Sequence, residues 1–256
     1  MLNSRLRKLF TLFVLVFMSA KIFAQDNAVL LKEAQNLELK FDEAGALEKY
    51  KQLAMSDPSN INALVKCATL NCSIGNRQKD KATKLQYFLW AHDFAQQAYT
   101  KDSSNADACY SKALVATKMS ETDDDNKKLF EDIKEIKIYS DKALTANANH
   151  PRASYLLGKW HFELIHSGWL KKSPVKNFYN KIPDTQIDSA TYFMEKCRSI
   201  EPYYALNYLD LAKVYDYDHQ REKAIQVLEK LVKLPTRTFD DAAIKDEGKR
   251  MLATMQ

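Results

Sequence analysis

Glycine occurs five times and proline six times in 256 residues, about 4% together where roughly 12% is ordinary. Sheet proteins of this length turn tightly many times, and tight turns draw on glycine, proline and Asn-Gly pairs. The shortage excludes a sandwich, a barrel or a dinucleotide-binding sheet domain. No GxSxG, P-loop or GxGxxG segment occurs, and none of the five histidines sits in HExxH. Cysteine is scarce too: there are four, with no CxxC and no Cys/His spacing of a zinc site. An excess of one charge is also missing once the start of the chain is set aside. Of 38 basic residues against 33 acidic, Arg5, Arg7, Lys8 and Lys21 precede the first acid, so residues 25–256 hold 34 against 33. That balance excludes a nucleic-acid footprint. What remains is a chain with 46% apolar residues, enough for a packed core rather than disorder, and built of helices.

The first 24 residues read as an export signal. Arg5, Arg7 and Lys8 precede the apolar run Leu9–Ala20, and Phe23-Ala24 precede the polar Gln25-Asp26-Asn27. The run is shorter than the roughly 18–20 residues that span hydrocarbon. The expectation is a signal peptide over 1–24, cleaved after Ala24, and a single periplasmic domain over 25–256 with no transmembrane span. The alternative is an uncleaved membrane anchor through residues 9–24. An oxidising compartment permits disulfides, and four thiols allow three pairings. Cys67 and Cys72 lie five apart in a predicted helix, on different faces, and cannot pair with each other. Cys67, Cys109 and Cys197 fall at small-residue core positions, so free buried thiols are expected in preference to a bridge.

Internal periodicity is the next signal. Tyr208-x2-Leu211-Ala212-x2-Tyr215-x8-Ala224-x3-Leu228, followed by Pro235, is close to the 34-residue tetratricopeptide pattern. Small residues let two antiparallel helices approach, large residues fill the gaps, and proline cannot continue the second helix. Upstream the template fits Leu30, Ala34 and Leu37 with Ala46, Tyr50 and Pro58; Leu64, Cys67, Ala68 and Gly75 with Leu85, Phe88, Ala95 and Tyr99; Cys109 and Ala113 with Leu129, Ile133, Ile136 and Ala143; and Leu157-Gly158 with Ala190, Met194, Cys197 and Pro202. The fold class is therefore all-α, an α-solenoid of about five antiparallel helix pairs.

The repeat ends at Pro58, Ser103, Ala148, Pro202 and about Leu234 are separated by 45, 45, 54 and about 32 residues. The first two excesses predict longer second helices with polar loops at Asn76–Asp80 and Ser120–Asn126. Asp123–Asp125 read as helix caps rather than a calcium loop, whose spacing and glycine are missing. The third excess, Ser167–Gln186, holds two prolines and cannot be one helix. It is expected to fold over the array through Trp169 and Phe178, or to stand as an exposed binding loop, with a helix restarting at Asp188 or Ser189. Gly158 is expected at a close helix crossing, where leucine would overpack and alanine would be nearly neutral.

The block His150-Pro-Arg-Ala-Ser-Tyr-Leu-Leu-Gly-Lys-Trp160, with Ser167-x-Trp169-Leu170, Pro183, Leu211-Ala212-Lys213-x-Tyr215 and Leu234-Pro235-x4-Asp240-Asp241, is more specific than a generic repeat. It resembles the regulator of microtubule dynamics family, over about Ala143 to Met251. The resemblance implies a divergent tetratricopeptide fold without a catalytic centre and a role in interaction or lipid handling. Microtubule binding is not carried over to a chain with this N-terminus.

Catalytic and metal readings find little support. Glu163-x-x-His166 has the spacing of a di-iron ligand pair, but no second ExxH exists. Neither a catalytic residue, a metal nor a cofactor is expected. In a tetratricopeptide array the first helices line the concave face, which assigns to it Asn62, Val65, Thr69 and Cys72; Asp107, Tyr110, Leu114 and Thr117; Arg152, Tyr155, Lys159 and Phe162; and Leu206, Leu209, Lys213 and Asp216. The leading reading is a non-enzymatic scaffold that binds a peptide or protein partner through Tyr110, Arg152, Tyr155, Lys159, Phe162 and Trp169, because Tyr and Arg combine buried area with directional hydrogen bonds. The bland alternative is that Tyr110, Tyr155 and Phe162 simply pack between repeats. A second functional reading is a carrier of a lipid or other apolar ligand, with the Trp169 loop as a cover and Arg152 or Lys159 at a polar head group.

Overall fold

The computed structural model describes residues 26–122, 125–166 and 186–255. Among these residues are eleven α-helices and no strand. They are α1 (26–39), α2 (Glu43–Ser56), α3 (Ile61–Asn76), α4 (Lys81–Lys101), α5 (Ala106–Ser120), α6 (Asn126–Ala146), α7 (Pro151–His166), α8 (Ile187–Ile200), α9 (Ala205–Tyr217), α10 (Arg221–Leu231) and α11 (Asp241–Met255). Five pairs, α1/α2 to α9/α10, stack in an α-solenoid, and α11 packs on the last pair. The helices α4 and α6 run 21 residues each against 14 for α2, so the two longer intervals are absorbed in second helices.

A repeated polar turn fixes the register between pairs. Asp57, Asp102 and Asn147 close α2, α4 and α6, each through its backbone N–H. Their side chains then accept from the backbone two residues on, at Ser59, Ser104 and Asn149. The next helix is capped three residues after each: Asn60 accepts from Ala63 N and Asn105 from Ala108 N, both at 3.0 Å. At the third turn His150 takes that place, and its Nδ1 accepts from Ala153 N at 3.0 Å. Such caps satisfy amides that the first helical turn leaves without partners. Asp125 caps α6 through Lys127 N; Asp123, Asp124 and Ser167–Thr185 lie outside the described residues, Trp169 and Phe178 among them.

Small residues mark the crossings. Ala34, Ala46, Ala63, Ala98, Ala108, Ala153, Ala190 and Ala224 are fully buried. All four cysteines are buried and free. The large core side chains sit between them, and Trp160 satisfies its indole N–H on Ile133 O at 2.9 Å. Two boundaries differ from the sequence reading. The helix α8 starts at Ile187 rather than Asp188 or Ser189, and α10 stops at Leu231, well before Pro235, because its last turn closes on Lys233 and Leu234.

Scarcity of glycine shows at two helix ends. Phe41 (φ 60°) and His219 (φ 58°) hold the left-handed conformation. Each is the second residue past a helix, in a paired closure: Phe41 N donates to Glu38 O and Asp42 N to Leu37 O, while His219 N donates to Asp216 O and Gln220 N to Tyr215 O. Glycine is the usual occupant there because a Cβ costs energy in that region.

The array closes on itself. First helices start on one rim at Asn60, Asn105 and His150 and end on the other at Phe41, Arg77 and Glu121. The chain returns to the first rim before α11, and there Asp240 accepts from Arg77 Nη1 at 3.0 and 3.1 Å, across 163 residues. Arg77 also donates to Glu43 and lies over the Phe239 ring, 4.5 Å from its centroid.

Candidate functional site

Between the rims, α5, α7 and α9 present a continuous polar and aromatic band. His150, capping α7 through Nδ1, places Nε2 3.0 Å from Asp107 Oδ1. With Nδ1 accepting an amide, Nε2 carries the proton and donates to Asp107. That hydrogen bond holds the Asp107 carboxyl below its ordinary range. The ring of Tyr110 tilts against His150 at 5.1 Å.

Arg152 is the centre of the band. Its Nε and Nη2 donate to the two Glu201 oxygens at 2.7 and 2.5 Å, a fork-to-fork geometry that fixes the guanidinium plane. The plane lies 3.4 Å from the Tyr204 ring centroid, and Tyr155 meets Tyr204 edge-on at 5.0 Å. Tyr155 donates its hydroxyl to Asp210 at 2.6 Å. Burial, then the Asp210 charge, pushes that hydroxyl far above the ordinary tyrosine value.

A second strand of charge runs beside it. Glu121 accepts from Lys118 at 2.7 Å and from Lys159 at 3.2 Å. Burial raises the Glu121 carboxyl, but the two ammonium groups outweigh it and hold the group below its ordinary value. For Lys159 burial works downward, and Asp210, Glu121 and Glu163 together lift it above the ordinary ammonium value. Lys213 bridges Glu247 at 2.9 Å and Asp210 at 3.5 Å.

The structure therefore brings Tyr110, Arg152, Tyr155 and Lys159 onto one face. Tyr110, Arg152 and Lys159 are part-exposed, and Tyr155 lies behind them. Phe162 is only 5% exposed, packed between His166 at 4.9 Å and Tyr217 at 5.8 Å. Val65, Cys72, Thr117 and Leu209 are buried, while Asp216 is exposed. Glu201, Tyr204, Asp210 and Glu121, which hold the band in place, were not singled out by the sequence reading. Helical periodicity identifies residues on one face of one helix, and these four belong to turns and neighbouring repeats.

Burial pushes the thiols of Cys67, Cys72 and Cys197 up to about 12, so at neutral pH they are protonated and poor nucleophiles. Among the described residues no group of three His, Cys, Asp or Glu side chains is placed to hold a metal ion. No described helix is long and apolar enough to cross a membrane.

Antiparallel helix pairs with small residues at each crossing, stacked through capped turns, define a tetratricopeptide-like α-solenoid. A thermophilic TPR protein from Thermus thermophilus shares the fold: TM-score 0.64 at 11% identity, covering 90% of this chain and 98% of that one. Within that class the chain belongs to the regulator of microtubule dynamics family, whose model, described as "Regulator of microtubule dynamics protein 1-3", matches residues 30–256. The match reaches much further toward the N-terminus than residues 143–251. Regulator of microtubule dynamics protein 1 of Bos taurus is 23% identical over 250 residues, 93% of this chain and 74% of the relative. The Homo sapiens protein of that name is 24% identical over 120 residues, 46% of this chain and 38% of the relative.

Proposed function

We propose that the chain is a non-enzymatic interaction scaffold that recognises a peptide or protein segment on its concave face. The carrying observation is the Arg152 cluster: a guanidinium fixed on Glu201 and stacked on Tyr204, with Tyr110 and Lys159 to either side. Side chains already held in one geometry lose little freedom on binding, and Tyr and Arg are the residues that carry most binding energy at interfaces. Tyr110, Arg152 and Lys159 make the contacts in this proposal, and Tyr155 backs them. The work takes place after export, with residues 1–24 removed.

Affinity purification from the native envelope tests the proposal, comparing the natural chain with a Tyr110→Phe, Lys159→Gln double variant of unchanged melting temperature. A protein partner retained by the first and lost by the second is expected. Native mass spectrometry showing a co-purifying lipid and no protein partner contradicts it. N-terminal sequencing of the envelope protein should begin at Gln25; an intact Met1 refutes cleavage.

A further inference from the structure

Where the end of α1 faces the loop before α11, the closed superhelix leaves a cleft of about 670 Å³, lined by Gln35, Glu38, Leu39, Phe41, Thr236 and Arg237. Two arginines at this closure stack on aromatic rings, Arg77 on Phe239 at 4.5 Å and Arg237 on Tyr203 at 3.8 Å. Arg77 is satisfied by Glu43 and Asp240. The Arg237 guanidinium has no carboxylate among the described residues; only its backbone N–H meets Asp241. Glu38, the other charge in the wall, is engaged by Lys66 at 2.8 Å and by the Tyr50 hydroxyl at 2.7 Å. The uncompensated charge of the cleft walls is therefore positive, and stacking holds it in place.

The opposite wall is apolar and open. Leu39 is 79% exposed and Phe41 36%. Phe41 holds a left-handed backbone that glycine would take without penalty, and its side chain lines the cleft.

The geometry points to a second binding site here, for an extended peptide segment that pairs a carboxylate with a large apolar side chain. The carboxylate sits on Arg237, in the planar fork that matches it, and the apolar side chain covers Leu39 and Phe41. A peptide fits better than an isolated anion because Gln35 and Thr236, which carry polar side chains, also line the cleft, where backbone groups need partners. The site stands without the concave-face reading.

Two blocked tripeptides test it, acetyl-Leu-Trp-Asp-amide and its uncharged counterpart acetyl-Leu-Trp-Asn-amide, with octanoate as a non-peptide carboxylate. Titrated into the isotope-labelled protein, the Asp peptide should shift the resonances of Leu39, Phe41 and Thr236. It should bind about tenfold more tightly than the Asn peptide, as a charge-assisted pair implies. Arg237→Gln should abolish that difference, Leu39→Ser should weaken both peptides alike, and Lys159→Gln should change neither. Equal affinities for the two peptides overturn the proposal, as do shifts confined to Tyr110 and Arg152, which assign the peptide to the concave face instead. Octanoate binding as tightly as the Asp peptide, with the same shifts, overturns the peptide occupant.

Discussion

Gly158 in α7 lies so close to Met194 in α8 that a methyl group on it would stand 2.8 Å from Met194 Cγ and 3.1 Å from the Ala190 carbonyl oxygen. The crossing expected from the repeat register is there, and it is tighter than the sequence implied. Alanine at this position gains about 1 kcal/mol of helix propensity, but it must push a buried side chain against a neighbouring backbone. Gly158→Ala is therefore expected to destabilise by roughly 1–2 kcal/mol, and Gly158→Leu by about 3 kcal/mol or more. Urea unfolding of both variants checks the order, and a neutral alanine refutes the crossing distance.

His219 offers the opposite sign. It is exposed and left-handed at the end of α9, and its side chain makes no contact that the closure needs. His219→Gly should stabilise by about 1 kcal/mol, the relief of backbone strain outweighing the added freedom of the unfolded chain. A shift of the urea midpoint upward is the readout.

The clasp at Arg77 should govern the shape of the array. Arg77→Ala leaves Glu43 and Asp240 facing each other without a cation and takes the support from Phe239. Expected are a loss of about 1–3 kcal/mol and a longer, broader distance distribution between spin labels at Lys40 and Thr238. Salt should broaden the natural chain in the same direction, since part-exposed pairs are screened. An unchanged distribution in the variant contradicts the closure.

Alkaline pH should destabilise this protein through its buried thiols and Tyr110. Burial raises Cys67, Cys72 and Cys197 from 9.0 to about 12 and Tyr110 from 10.0 to about 12. A raised value means the folded state keeps the proton after the unfolded state has lost it, so stability falls as pH rises between the two. Urea midpoints under reducing conditions should be level between about pH 6 and 8 and should drop between about 9 and 12.

The helix pairs were legible because their signals are local: Cys67, Ala113 and Gly158 as small residues, Pro58 and Pro202 near repeat ends, and the 45-residue interval itself. The last helix was not, because its first residue, Asp241, accepts from Arg237 N and Thr238 N in a turn unlike the repeated one. Nor was the clasp of Arg77 on Asp240, which depends on the sum of small rotations between repeats. The polar and aromatic band was half legible. Periodicity grouped Tyr110, Arg152, Tyr155 and Lys159, yet it also placed Val65, Cys72 and Leu209 there, and neighbouring helices cover those three. It gave no sign that Glu201 and Asp210, from the next repeat, hold the group together.

The concave-face claim is tested most directly by photo-crosslinking in the native envelope. The benzophenone amino acid p-benzoylphenylalanine is placed at Tyr110 in one variant and at Gln97, exposed on the second helix of a pair, in another. The expected result is a protein adduct from position 110 that disappears when Lys159→Gln is added, with none from position 97. Adducts from position 110 to lipid alone, or equal protein adducts from both positions, would contradict recognition by the concave face.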